Sequence, residues 1–246
     1  MNQLRLIPSL SLSGIDLVQT HQFKERQYVG DPLNAVRIFN EKCVQEIAIT
    51  DIDATRYEYT PDFKLVEDVV SECFMPVTFG GGIRNIETAR RLFEIGIEKV
   101  AVNSGWVDDP ELLPALCQAF GGQSIVAVVD IDSGQRSCVD YRTGQFNDNL
   151  SLVPELFTES GVGEIRINDV SRDGTLMGMN LELAQSLSSQ FDVPIVASGG
   201  FAFPSDIQSA IAGGLSGIAV GASFVVYGRH RAALISYDEK ASKNGK

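Results

Sequence analysis

A single (β/α)8 barrel, the TIM-barrel fold, is what this sequence of 246 residues predicts, on three observations. Short runs rich in Val, Ile and Leu alternate eight times with longer amphipathic segments, the pattern of parallel strands each covered by a helix. The second half of the chain repeats the first at a nearly constant offset. Asp51 and Asp169 stand 118 residues apart, as do Gly82 and Gly200, while Ser104 and Ser223 stand 119 apart, as do Ser11 and Asp130. Glycine-rich turns follow matching strands in both halves. A register held through intervening helices is a far stronger signal than any one glycine motif.

Taken in order, strands are expected near residues 4–10, 46–52, 76–80, 98–103, 124–130, 164–169, 194–198 and 217–222, with helices between them. The helix after the third strand shows how boundaries are set. Ile86, Ala89, Leu92 and Phe93 recur at helical spacing, Asn85 caps the first turn and Gly96 closes the last. Its copy runs from Pro204 to Gly214, with Ile207, Ala210 and Ile211 on the apolar side. Residues 11–31 and 131–149 are too long for simple turns and follow strand C-termini, where barrels carry active-site lids. The cluster Arg229-His-Arg231 is expected at the start of a final helix. The barrel spans 1–237, in half-barrels of about 1–120 and 121–237, and 238–246 is a polar, frayed tail.

Composition excludes several function classes. With 44% hydrophobic and 21% charged residues the chain buries a sizeable core. A net charge of -12 without a Lys/Arg-rich run argues against nucleic acid as a partner. No run of 18 apolar residues and no leader-like start is present, so no membrane association and a cytoplasmic location are expected. Cys43, Cys73, Cys117 and Cys138 form no CxxC pair, and His21 and His230 are the only histidines, so neither a disulfide nor a metal site is expected. No cofactor is expected either.

The two halves each carry a Gly-rich turn, Gly80-Gly81-Gly82-Ile83 and Ser198-Gly199-Gly200-Phe201, and then a small-residue turn after the next strand, Val102-Asn103-Ser104 and Val220-Gly221-Ala222-Ser223. Glycines let backbone approach a ligand closely, and free N–H groups opening a helix suit a phosphate dianion. Two phosphate sites on opposite rims of the mouth follow, one at Gly81, Gly82, Asn103 and Ser104, the other at Gly199, Gly200, Ala222 and Ser223. The ligand is then a phosphorylated small molecule, an elongated bisphosphate or a relative of one. The bland alternative is that the glycines only close tight turns.

From Arg5 to about Tyr237 the chain resembles the cyclase subunit of imidazole-glycerol-phosphate synthase, the HisF family. The resemblance lies in Arg5-x-Ile7-Pro8, Gly30-Asp31-Pro32, Asp51-Ile-Asp-Ala54, Gly80-Gly-Gly-Ile83, Val100-Ala-Val-Asn-Ser104, Asp130, Ser171-Arg-Asp-Gly-Thr175 and Ala197-Ser-Gly-Gly200. It implies that a partner glutaminase docks on the N-terminal barrel face and makes ammonia, which crosses the barrel to a bisphosphate where ring closure and cleavage follow. It also implies phosphate contact at Asp173 and Gly174, and an ammonia gate at Arg5, Glu46, Lys99 and Glu164, where all four charged residues of the family are retained. The alternative is that the same four charges form a salt-bridged ring that is only a structural plug.

The match breaks where chemistry would happen. The family reads Ile-Pro-Cys-Leu-Asp after the first strand, its Asp one of two catalytic carboxylates, whereas this chain reads Ile7-Pro8-Ser9-Leu10-Ser11. The partner carboxylate, Asp130, is kept; the family's nearby lysine falls on Gln19. A serine hydroxyl hydrogen-bonds but does not titrate near neutral pH. The resemblance is therefore to a divergent branch working beside a glutaminase and a separate sugar amidotransferase to place acetamidino groups on surface-polysaccharide sugars. Alternatives are a true cyclase for histidine biosynthesis that uses Asp51 or Asp53 in place of the missing carboxylate, a sugar-phosphate isomerase of the related barrel family, and a scaffold without catalysis.

Overall fold

The computed structural model describes residues 4–135, 137–140, 145–147, 153–202 and 205–237. Strand β1 (Arg5–Ser13) is followed by a hairpin of β2 (Asp16–His21) and β3 (Glu25–Gly30). Next come α1 (Pro32–Glu41), β4 (Ile47–Asp51), α2 (Phe63–Ser71), β5 (Val77–Gly80), α3 (Ile86–Ile95) and β6 (Lys99–Val102). The short α4 (Ser104–Asp108) and α5 (Leu112–Phe120) lead to β7 (Ile125–Asp132) and a second hairpin, β8 (Ser137–Asp140) with β9 (Gln145–Asn147). The remainder is α6 (Val153–Ser160), β10 (Glu164–Asp169), α7 (Leu181–Ser188), β11 (Ile195–Ser198), α8 (Ser205–Ala212), β12 (Gly217–Val220), α9 (Ala222–Val225) and a ribbon of β13 (Val226–Tyr227) and β14 (Ala232–Ala233).

Strands β1, β4, β5, β6, β7, β10, β11 and β12 pair in parallel in that order, and β12 returns to β1. The chain is a closed eight-stranded (β/α)8 barrel. Closure leaves these strands without an edge, and their outer faces pack on the helices in one large core. Two small clusters stand apart from that core: Ile7, Ala48, Val196 and Ala219, and Ala101, Val126 and Val128. They are the inward-facing residues of the strands, and they line the bore. No helix among the described residues is long and apolar enough to cross a membrane.

Local chemistry sets the boundaries. Asn85 Oδ1 accepts from the Thr88 N–H at 2.8 Å to start α3, and Gly96 ends it at φ 108°. The apolar faces are narrower than the spacing predicts: Ala89, Leu92, Ile207 and Ala210 are buried, but Ile86 and Ile211 face solvent. Residue 204, where the second of these helices is expected to begin, and the tail 238–246 lie outside the described residues.

Three expectations need correction. The first and fifth barrel strands do not end near residues 10 and 130: β1 and β7 run on past the rim and pair antiparallel with β2 and β8, so among the described residues the long connections carry ribbons. The alternation Ser9-Leu10-Ser11-Leu12-Ser13 carries that signal, with Leu10 and Leu12 buried on one face, and a strand boundary at residue 10 cuts through it. The Arg229-His-Arg231 cluster opens no helix: it lies in the turn between β13 and β14. Nor does a full covering helix follow the eighth strand among the described residues, since α9 is one turn long.

Candidate functional site

At the N-terminal end of the barrel, Arg5, Lys99 and Glu164 open β1, β6 and β10, and Glu46 immediately precedes β4. They join in a ring. Arg5 donates from Nη1 to Glu46 Oε2 at 2.9 Å and from Nη2 to Glu164 Oε2 at 2.8 Å. Lys99 Nζ donates to the same Glu164 oxygen at 2.9 Å and lies 3.8 Å from Glu46 Oε1. Glu164 is 3% exposed and the two cations are partly open to solvent. Burial pushes the Glu164 carboxyl up, and the charges of Arg5 and Lys99 more than offset it, holding the group below its ordinary value.

A cavity of about 530 Å³ opens at the other end, at the C-termini of the strands. Ser11, Asp51, Gly81, Gly82, Asn103, Ser104, Asp130, Asp173, Gly174, Gly199, Gly200, Ala222 and Ser223 all line it. The twofold repeat is visible in the backbone. Gly81 and Gly199 have φ of 102° and 104°, Gly82 and Gly200 of 67° and 78°. A Cβ on Gly81 would stand 2.1 Å from the Asp51 carbonyl oxygen, and one on Gly199 would stand 2.4 Å from that of Asp169. The turn itself therefore accounts for glycine at both positions. Asn103 and Gly221, which open α4 and α9, also match, with ψ of -87° and -91° and no side-chain cap on the first-turn N–H groups. Ser223 Oγ donates to the Phe201 carbonyl at 2.6 Å, tying the last two strand-end turns together.

Asp130 stands at the end of the fifth barrel strand, 3% exposed. Its two oxygens accept from Asn103 Nδ2 at 2.7 Å and Asn168 Nδ2 at 2.8 Å. Burial dominates these bonds and pushes the carboxyl up to about 6. The native state then holds this proton more tightly than the unfolded chain, so the contribution to stability is fully present below the ordinary carboxylate value of 3.8 and is lost as pH rises through about 6. A shift of this size corresponds to something on the order of 3 kcal/mol. Urea unfolding of the wild type and Asp130→Asn at pH 4 and pH 7.5 is expected to show the wild type losing ground to the variant at the higher pH. A difference that does not change with pH would mean an unperturbed carboxylate.

The other acids are engaged locally. Asp51 Oδ1 accepts from the N–H groups of Asp53 and Ala54, each at 3.0 Å, and from the Tyr59 hydroxyl at 3.1 Å, which fixes the loop after β4. Asp53 accepts from Ser13 Oγ at 2.7 Å, pairs with Arg26 at 2.7 Å and does not line the cavity. Asp173 accepts from Thr20 Oγ1 at 2.5 Å and Gly174 from Arg231 Nη1 at 2.8 Å. Those two residues hold the β2–β3 hairpin and the last turn against the mouth. The lone Trp106 is also structural, donating to the Val128 carbonyl at 2.8 Å and packing edge-on to Phe157.

Sequence reasoning missed Arg166. It shares the inward face of β10 with Glu164 and Asn168, is 4% exposed, and lines the cavity. The two-residue spacing from Glu164, already placed at the ring, was the available signal.

A (β/α)8 barrel made of two matching halves, with a cavity at the C-terminal mouth, is the class these features define. Residues 5–230 match the family described as histidine biosynthesis protein, and the chain belongs to that family, among its HisF-like synthase subunits. The protein named "Putative imidazole glycerol phosphate synthase subunit hisF2" in Pseudomonas aeruginosa is 38% identical over 244 residues, covering 97% of either chain. The one named "Putative imidazole glycerol phosphate synthase subunit HisF" in Leptospira interrogans is 37% identical, over 97% of this chain and 96% of its own. A Vibrio vulnificus relative, "Putative imidazole glycerol phosphate synthase subunit hisF3", is 36% identical over 99% and 96%.

Proposed function

We propose that this chain is the ammonia-receiving synthase subunit of a glutamine-dependent amidotransferase system, serving acetamidino modification of surface-polysaccharide sugars rather than ring closure. The observation that carries the reading is the combination of a closed four-charge ring at one barrel end with Ser11, not a carboxylate, on the strand across the barrel from Asp130 in the cavity at the other. A glutaminase docks at the ring and releases ammonia into the bore, while a phosphorylated ligand occupies the glycine turns and a separate sugar amidotransferase consumes the product. Small inward residues, Ala48, Ala101 and Ala219, favour passage, and ammonia has to move past Arg166 on the way.

Loss of one member of an acid–base pair costs about 10²- to 10⁴-fold in rate. Supplied with free ammonium and the histidine-pathway bisphosphate, the purified chain is therefore expected to form imidazole glycerol phosphate slower than an ordinary cyclase by about that factor. The relatives' names favour a second reading, a working cyclase. Turnover near the ordinary cyclase rate would establish it and end the first. Ser11→Asp sharpens the comparison: a large gain in rate marks an otherwise complete cyclase site, and no gain in rate or affinity argues against one. The glutaminase encoded nearest this gene should bind the purified chain and hydrolyse glutamine faster when bound. Failure to bind would remove the ammonia reading.

A further inference from the structure

Arg166 takes no part in the hydrogen bonds of the four-charge ring or of the glycine turns. In register it lies beside Val128 of β7 and Val196 of β11, so its side chain enters the bore between the ring and the mouth. The inward residues nearest that level, Ala101, Val128, Val196 and Ala219, are small or apolar, leaving room for a long side chain while providing no side-chain acceptor. Its Nε and Nη2 are buried and have no hydrogen-bond partner. Glu46 and Glu164 act on it through their charge, but their hydrogen bonds go to Arg5 and Lys99. At the ring and the level just above it three cations, Arg5, Lys99 and Arg166, meet two carboxylates, Glu46 and Glu164, and a buried guanidinium without a partner is far more costly than any exposed ion pair is stabilising.

We infer that the floor of the mouth cavity is an anion subsite, separate from the two glycine turns, in which Arg166 receives a carboxylate of the ligand on its Nε–H and Nη2–H. Those two nitrogens form one edge of the planar guanidinium, and their N–H bonds run side by side at the spacing of two carboxylate oxygens. That edge is the one without partners. The guanidinium turns toward the cavity it already lines, where the incoming anion supplies the acceptors that its free edge lacks. The ligand class is a phosphorylated compound with a carboxylate, its phosphate groups at the rims and the carboxylate directed down the barrel axis. This site rests on the reading of the mouth as a ligand site and is independent of whether ammonia crosses the ring.

Formate, the smallest carboxylate, is the probe. Titrated at constant ionic strength against chloride, it is expected to raise the unfolding temperature of the wild type along a saturable curve. Arg166→Met should abolish the response, and Arg166→Lys, which loses the fork and keeps the charge, should weaken the apparent affinity roughly tenfold. Inorganic phosphate is titrated in parallel. A wild type that responds to phosphate but not to formate overturns the subsite alone, whereas silence toward both overturns the mouth reading as well. An equal formate response in Arg166→Met also overturns the subsite. A marked fall in that variant's unfolding temperature without any anion would do the same, because it would make Arg166 a fifth member of the ring. If neither variant folds, the arginine Nε–H signals of the wild type, followed by ¹⁵N NMR, decide the matter: one should shift and saturate with formate, and none shifting rules the site out.

Discussion

Alanine at Gly81 or Gly199 is expected to destabilise the barrel by roughly 3–5 kcal/mol, to a similar extent at both positions and enough to cost most of the soluble protein. Two effects combine. At φ of 102° and 104° an L-residue is strained, and the added Cβ meets a backbone carbonyl of the neighbouring strand end at 2.1 and 2.4 Å, where no side chain can swing away. Gly14 supplies the control, because its φ is 58° and a Cβ there meets nothing within 4 Å. Gly14→Ala should therefore cost only the conformational part, roughly 1–2 kcal/mol. Urea unfolding of the three variants measures the separation. Costs at Gly81 and Gly199 no greater than at Gly14 would show that the carbonyl contacts relax freely and that the turn account is wrong.

Removing Glu164 should be the most damaging change at the N-terminal end. Its carboxylate joins Arg5 to Lys99, and without it those cations and Arg166 share a bore with only Glu46 to balance them. Breaking a buried pair from one side typically costs about 3–5 kcal/mol, and the partial exposure of Arg5 and Lys99 places Glu164→Gln near the lower bound. The pH dependence fixes the mechanism. Because the folded carboxyl is held below its ordinary value of 4.5, its contribution is fully present above that pH and disappears as pH falls through the lower folded value. The gap between wild type and Glu164→Gln should therefore be wide at pH 7 and close in strong acid. A gap of the same width at pH 7 and pH 2.5 would point to lost packing rather than lost charge.

Much of the mouth was legible because its signals are local. The constant offset between the halves marked Gly81, Gly82, Asn103 and Ser104 together with Gly199, Gly200, Ala222 and Ser223, and these residues line one cavity. Asp130 was marked by the same kind of offset, from Ser11, and as a catalytic carboxylate only by the resemblance to the HisF family. Chemical employment was less legible. Asp51 and Asp173 are carboxylates at strand and loop ends like Asp130, yet one fixes a loop and the other fastens a hairpin, through partners 2, 3, 8 and 153 residues away in the chain. Only the Asp51–Asp53 and Asp51–Ala54 contacts lie within reach of a local motif.

From the sequence alone came the alternating apolar periods, the duplicated half and the residue types placed at strand ends, all set by neighbours a few positions apart. The tertiary structure decided which charges meet. Closing eight tilted strands brings Arg5 to Glu164 across 159 residues and lifts Arg166 into the bore without a partner. That choice depends on the register between β7, β10 and β11, a stagger that no stretch of contiguous residues encodes.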